Sequence, residues 1–224
     1  MKLLARLATF LSFLIMVNVA NAAGNSIYID QIGDTSTISI TQTGNSNEIG
    51  SANSRAIIDG NSNLITIEQI GNSNILDMNI EGDGNEVTQT ITGNSNDLSL
   101  LCATCSMVVI TDSITGSGNV LTRIIDSASG TSTVDIQSDN NTVSINNDSS
   151  AISGASSDIS ISGGNGNNIT LNQTGAAGPN GHNVILNVVG ATNTAVIEQG
   201  GNVDSYVNAT ITGSDNNINI NSNY

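Results

Sequence analysis

The sequence predicts an all-β chain, a parallel two-sheet β-solenoid of about eight to nine coils with ~22 residues per coil. Three observations carry that reading. In Asn63-Leu-Ile-Thr-Ile-Glu-Gln-Ile-Gly-Asn-Ser-Asn74, Ile65, Ile67 and Gln69 alternate with Leu64, Thr66 and Glu68, the period of two of a strand whose faces differ. Gly71-Asn-Ser-Asn74 then supplies a glycine able to take φ > 0, followed by small polar residues that bond their own backbone, which makes a tight corner. That corner recurs at Gly33, Gly44, Gly60, Gly71, Gly82, Gly93, Gly116 and Gly213, and the four from Gly60 to Gly93 are spaced eleven residues apart. A strand of about six residues plus a corner fills one interval; two intervals bring the chain round once, and coils stack at the ~4.8 Å strand spacing.

The chain opens on a leader. Lys2 and Arg6 form a basic head, Leu7 to Val19 an apolar stretch, and Ala20-Asn-Ala22 a small-residue cleavage site, the layout of a secretory signal. The apolar stretch is short for a membrane span. The expected organisation is a signal over 1–22 and a solenoid over 23–224, in a protein exported through the periplasm to the cell surface or beyond. Cleavage removes Phe10 and Phe13 and leaves Tyr28, Tyr206 and Tyr224 as aromatics. It also reduces the 4 Lys and Arg to 4 − 2 = 2, Arg55 and Arg123, against 19 acids, a net charge of 2 − 19 = −17. No basic footprint for nucleic acid remains. Regular aliphatic alternation argues against disorder, because a disordered tract has no use for periodic apolar residues.

Residues 25 to 98 carry the clearest repeats. Ile27, Ile29 and Gln31 lead to Gly33, and Ile38, Ile40 and Gln42 to Gly44; 50–55 interrupts as an exposed loop; Leu76, Met78 and Ile80, then Val87, Gln89 and Ile91, take inward places. An inward glutamine is a costly buried amide unless it is bonded. In stacked coils it bonds its equivalents above and below, as in cross-β assemblies. The expected structural ladder comprises Gln31, Gln42, Gln69, Gln173 and Gln199, with Asn47, Asn63, Asn74, Asn85 and Asn96 at the corners.

Gln31-Ile-Gly33, Gln42-Thr-Gly44-Asn-Ser-Asn47, Gln69-Ile-Gly71-Asn-Ser-Asn74, Gln173-Thr-Gly175 and, loosely, Gln199-Gly-Gly201 form a Gln-x-Gly-x-x-Asn pattern that resembles the curlin repeat of bacterial curli fibre subunits. The resemblance runs from about residue 25 to 223 and is strongest in the first third. It implies an extracellular functional amyloid that polymerises with copies of itself, with a nucleator and outer-membrane secretion proteins as further partners, and that meets surfaces or extracellular matrix. The chain has more half-repeats than the usual subunit of that family.

Cys102-Ala-Thr-Cys105 lacks the βαβ context of a thioredoxin-like site, and Cys105 falls where a corner is expected. A corner disulfide and two free buried thiols are both open, with export favouring oxidation. Aligning on Gly116 and Asn119 puts Asp112 and Arg123 at inward positions of successive strands, where they either pair across the core or reach solvent through a slipped register. From 122 to 165 serine replaces glycine at several corners and the unit shortens, which predicts narrower, less regular coils. Gly163 to Asn168 has the look of a calcium-binding turn but lacks its acidic ligands. Ala176 to Gly181 is an enlarged loop, and His182 beside it reads as an exposed structural residue. Strands resume around Ile197, Ile211 and Ile220, and neither end shows a helical or polar cap, which predicts tips open to stacking.

A fibre-forming structural protein fits these features best. A non-polymerising adhesin or surface or virion receptor-binding module is the alternative. Lyase or hydrolase chemistry requires acids clustered with basic residues or histidine, whereas Asp30, Asp59, Glu68, Glu81 and Glu198 are spread over outward and corner positions. No catalytic residue, metal ligand or cofactor is expected.

Overall fold

The computed structural model describes residues 14–20, 23–32, 36–54, 56–60, 62–82, 84–101, 105, 108–126, 130–148, 155–175 and 181–223. Over these residues the chain is a parallel β-solenoid without helix, built from a ten-stranded sheet, a nine-stranded sheet and a three-stranded sheet. Cross-coil partners advance by one coil of sequence. Leu64 lies beside Glu86 (86 − 64 = 22), and Asp97 beside Val120 (120 − 97 = 23). The expected coil number and length are met closely.

The alternation read from the sequence becomes columns. In the first sheet Ile38, Ile65, Val87 and Ile110 stand in register; in the second Ile49, Leu76, Leu98, Leu121, Val143, Ile169 and Ala195 do so. All are buried. Burying each large aliphatic contributes roughly 1.5–3 kcal/mol, so repetition takes the place of aromatic packing. Tyr206 stays outside at 63% exposure.

Three departures from expectation have local causes. The first coils are three-sided: Ile29–Gln31, Ala56–Ile58 and Asn79–Ile80 form a third sheet. Met78 is buried at the bend between Ile75–Asp77 and Asn79–Ile80, where a long unbranched side chain suits an irregular gap. The loop 50–54 belongs to the coil that carries Thr37 to Leu64 (64 − 37 = 27) and accounts for its extra length. Coils in the serine-rich region are not shorter, since Thr142 lies beside Asn168 (168 − 142 = 26). What changes there is the core, where Ser132 and Ser157 take the column places of aliphatics.

The segment expected as an export signal contributes a strand. Leu14–Ala20 pairs in parallel with Thr37–Thr43, residue for residue, on the outer edge of the first sheet. At the other end Ser205–Thr210 is the last strand of the first sheet and Asn217–Asn223 the last of the second.

Candidate functional site

Among the described residues the most extended arrangement of polar groups is a file of asparagines along one edge of the rod. Each stands immediately before a strand of the second sheet, three residues after the residue that opens the corner. From Asn74 through Asn96, Asn119, Asn141, Asn167 and Asn193 to Asn216, Nδ2 donates to Oδ1 of the asparagine one coil earlier, beginning with Asn47, at 2.9–3.1 Å. The backbone N–H of each donates to the same oxygen at 2.9–3.1 Å. The second Nδ2 hydrogen reaches a corner carbonyl, as from Asn74 to Gly93 and from Asn96 to Gly116. An amide has two donors and an oxygen with two lone pairs, and every interior rung uses all of them. This is how buried amides escape the roughly 1–3 kcal/mol penalty of an unmade bond.

Corner geometry holds the file in place. Gly44, Gly71 and Gly93 have φ of 110°, 121° and 138°, and the serine two residues on from each is also left-handed, at 55–57°. Gly60, Gly82 and Gly116 share the positive φ. Gly33 lies outside the described residues. Gly213 differs, having no left-handed φ; its N–H closes a tight turn onto the Ile211 carbonyl at 2.8 Å.

The glutamines do not form one ladder. Gln42 donates to Gln69 at 2.7 Å in the first sheet, and Gln173 to Gln199 at 2.8 Å in the second. Gln31, expected among them, lies in the third sheet beside Ile58 and donates to Ser36 at 2.9 Å. Asn63 and Asn85 make a separate rung at 3.2 Å, at the corner leading into the first sheet. Asn119, Asn141, Asn167, Asn193 and Asn216 were not among the expected members. Their signal is in the sequence: each stands three residues after Gly116, Ser138, Gly164, Gly190 or Gly213.

Asp112 and Arg123 do face one another across the core, with Nη2 2.9 Å from Oδ1 and the side chains 2% and 1% exposed. Arg123 occupies a column place between Leu100 and Ile145. Burial pushes the Asp112 carboxyl above its ordinary range, opposed by the Arg123 charge and by hydrogen bonds from Arg123 and Gln89. Cys105 is buried and disulfide-bonded; Cys102 lies outside the described residues.

His182 is buried rather than exposed. It opens the strand His182–Asn187 at an inward place, with Nδ1 2.7 Å from Ser205 Oγ. Burial lowers its pKa below the usual value, partly offset by a hydrogen bond that the ring donates to the Thr174 backbone carbonyl and by the charge of Asp204. Between the folded and unfolded pKa values the unfolded chain binds more protons, so this contribution to stability is present at neutral pH and is lost progressively as pH falls from about 6.5 through the lowered folded value. Amide protection in Asn168–Thr174 and His182–Asn187, after division by the intrinsic exchange rate at each pH, is therefore expected to fall between pH 7.5 and 5.5 in wild type more than in His182→Gln. An equal fall in the two would remove the histidine from the account.

A cleft of about 430 Å³ opens beside the loop, lined by Asn53, Ser54, Ile57, Asp77, Met78 and Asn79 among others. Among the described residues no three His, Cys, Asp or Glu side chains are grouped to hold a metal ion. The geometry defines a parallel β-solenoid locked by stacked side-chain amides. Compared with known protein families, curated proteins and solved structures, the chain matches none.

Proposed function

We infer that the chain is an extracellular structural subunit whose copies add end to end into curli-like β-stacked fibres. The observation that carries this reading is the one-way sense of the asparagine file. Every rung donates toward the start of the chain and accepts from its end. At the first position Asn25 accepts the Asn47 N–H, while its own Nδ2 is buried without a partner among the described residues. At the last, Asn216 donates to Asn193, and no later rung among the described residues donates to its Oδ1. Asn216 of one copy supplies the acceptor that Asn25 of a second copy lacks, and the two ends fit in one orientation. The half-exposed Ile218 and Ile220 of the edge strand Asn217–Asn223 add apolar surface to the same contact. The curlin-like repeats and the leader favour the same reading and an exported location.

The test is seeded elongation of the purified chain, with fibre diffraction expected to give the ~4.8 Å spacing along the axis. Asn216→Leu removes acceptor and donor at an exposed site while leaving the interior rungs in place. It is expected to raise the critical concentration about ten-fold, the equivalent of one or two hydrogen bonds. A chain that stays monomeric at high concentration with seeds present would refute the reading.

Acids spread along the rod set the conditions of assembly. Neighbouring copies that each carry a net charge near −17 repel one another. Elongation is expected to quicken toward acidic pH and at high salt, where protonation and screening remove the repulsion. Rates that stay flat across both would exclude charge as the brake.

A further inference from the structure

We propose that the edge of Thr37–Thr43 is a strand-binding slot, filled by Leu14–Ala20 in the uncut chain and open to an extended peptide in trans once the leader is removed. The slot itself rests on the pairing within one chain; its recurrence along a fibre rests on the stacking read above.

The pairing is explicit. Seven consecutive residues, Leu14 to Ala20, lie in parallel register with Thr37 to Thr43. Ile15, Val17 and Val19 take the register positions beside Ile38, Ile40 and Gln42, which are buried inward residues of the first sheet. Cleavage after Ala22, which the sequence predicts, takes this strand away and bares the backbone N–H and C=O groups of one side of Thr37–Thr43. An extended peptide restores them by strand addition, with backbone bonds giving affinity and alternate side chains giving selectivity. The occupant is therefore defined chemically: about seven residues, extended, with aliphatic residues at alternate positions.

Seating a second copy does not close the slot. When Asn25 of a second copy donates to Asn216, Ser26–Ile27 of that copy lies on Asn217–Asn223 in the second sheet. In the first sheet the next strand of a cut copy is then Thr37–Thr43, separated from Ser205–Thr210 by the level that Leu14–Ala20 occupies. Two strand spacings, about 9.6 Å, leave room for one strand at every junction.

The experiment uses the full chain with a protease site inserted between Ala22 and Ala23. The probe is a fluorescent peptide of sequence Leu-Ile-Met-Val-Asn-Val-Ala. After cutting, the chain is expected to take up about one peptide per copy, whether isolated or stacked, while the uncut chain takes up at least ten-fold less. A peptide with proline at the positions of Met16 and Val17 is expected not to bind. Adjacent residues of a strand point their N–H groups to opposite sides, so one of the two prolines always removes a bond to the slot. Uptake that is equal for cut and uncut chains, or absent from the cut chain, overturns the proposal. Uptake confined to fibre ends overturns its recurrence and shows that copies seat Thr37–Thr43 directly on Ser205–Thr210. Failure of cut chains to elongate seeds counts against the stacking, while uptake by the isolated cut chain still decides the slot.

Discussion

Gly71→Ala is expected to destabilise the chain by about 2–5 kcal/mol, enough to abolish folding of a marginal solenoid. Two independent costs add. Gly71 has φ +121°, where an L side chain is strained by about 1–2 kcal/mol. A Cβ on Gly71 would also fall onto the Gly93 carbonyl of the next coil. Relieving that overlap pushes two coils apart against their ladder bonds, a further ~1–3 kcal/mol. Gly163 separates the terms. It has φ +89°, yet a Cβ there meets nothing within 4 Å, so Gly163→Ala carries the backbone cost alone. Chemical denaturation of both variants should rank Gly71→Ala well below Gly163→Ala. Equal losses would mean that coil-to-coil proximity does not explain the recurrence of glycine.

Removing the anion of the buried pair should be as damaging. Asp112→Ala leaves the Arg123 guanidinium in an aliphatic column, where Nε and Nη1 already have no hydrogen-bond partner among the described residues. An uncompensated buried charge of this kind costs about 3–5 kcal/mol. The double variant Asp112→Val with Arg123→Leu is expected to recover wild-type stability or exceed it, because Leu100 and Ile145 already flank that place and desolvation of both charges is avoided. On that outcome the pair costs stability relative to an apolar core at the same place. Single variants within about 0.5 kcal/mol of wild type would show that the charges escape to solvent.

The period of Ile65, Ile67 and Gln69 and the eleven-residue step between glycines were enough to read the coil, because a solenoid repeats one local rule and each repeat reports it again. The Asp112–Arg123 contact was legible for the same reason: a register carried forward from Gly116 and Asn119 leaves each charge at an inward place. Less was legible where position along the cross-section, rather than alternation, decides the partner. Gln31 and Gln42 carry the same local pattern but lie in different sheets, one beside Ile58 and the other beside Gln69. The third sheet depends on a bend at Met78 that alternation does not announce. His182 was misplaced because a glycine-rich, proline-containing approach reads as loop, although the strand begins at the histidine itself. The longer asparagine file was visible as a residue three places after each corner, the serine corner at 138 included.

The even advance of 22 to 27 residues between bonded neighbours has a bearing on how such a chain changes length over generations. Among the described residues each strand pairs with strands of the coil before and the coil after, and with none further along the chain. Excising or duplicating one whole turn of sequence rejoins asparagine to asparagine and leaves the remaining turns in their former surroundings, so the energy of the rod scales with the number of turns it keeps. Gains and losses of a few residues have no such licence, except in loops such as 50–54 that already stand outside the cross-section. Relatives of this chain should therefore differ by entire turns and by loop insertions, while the spacing from corner to asparagine stays fixed.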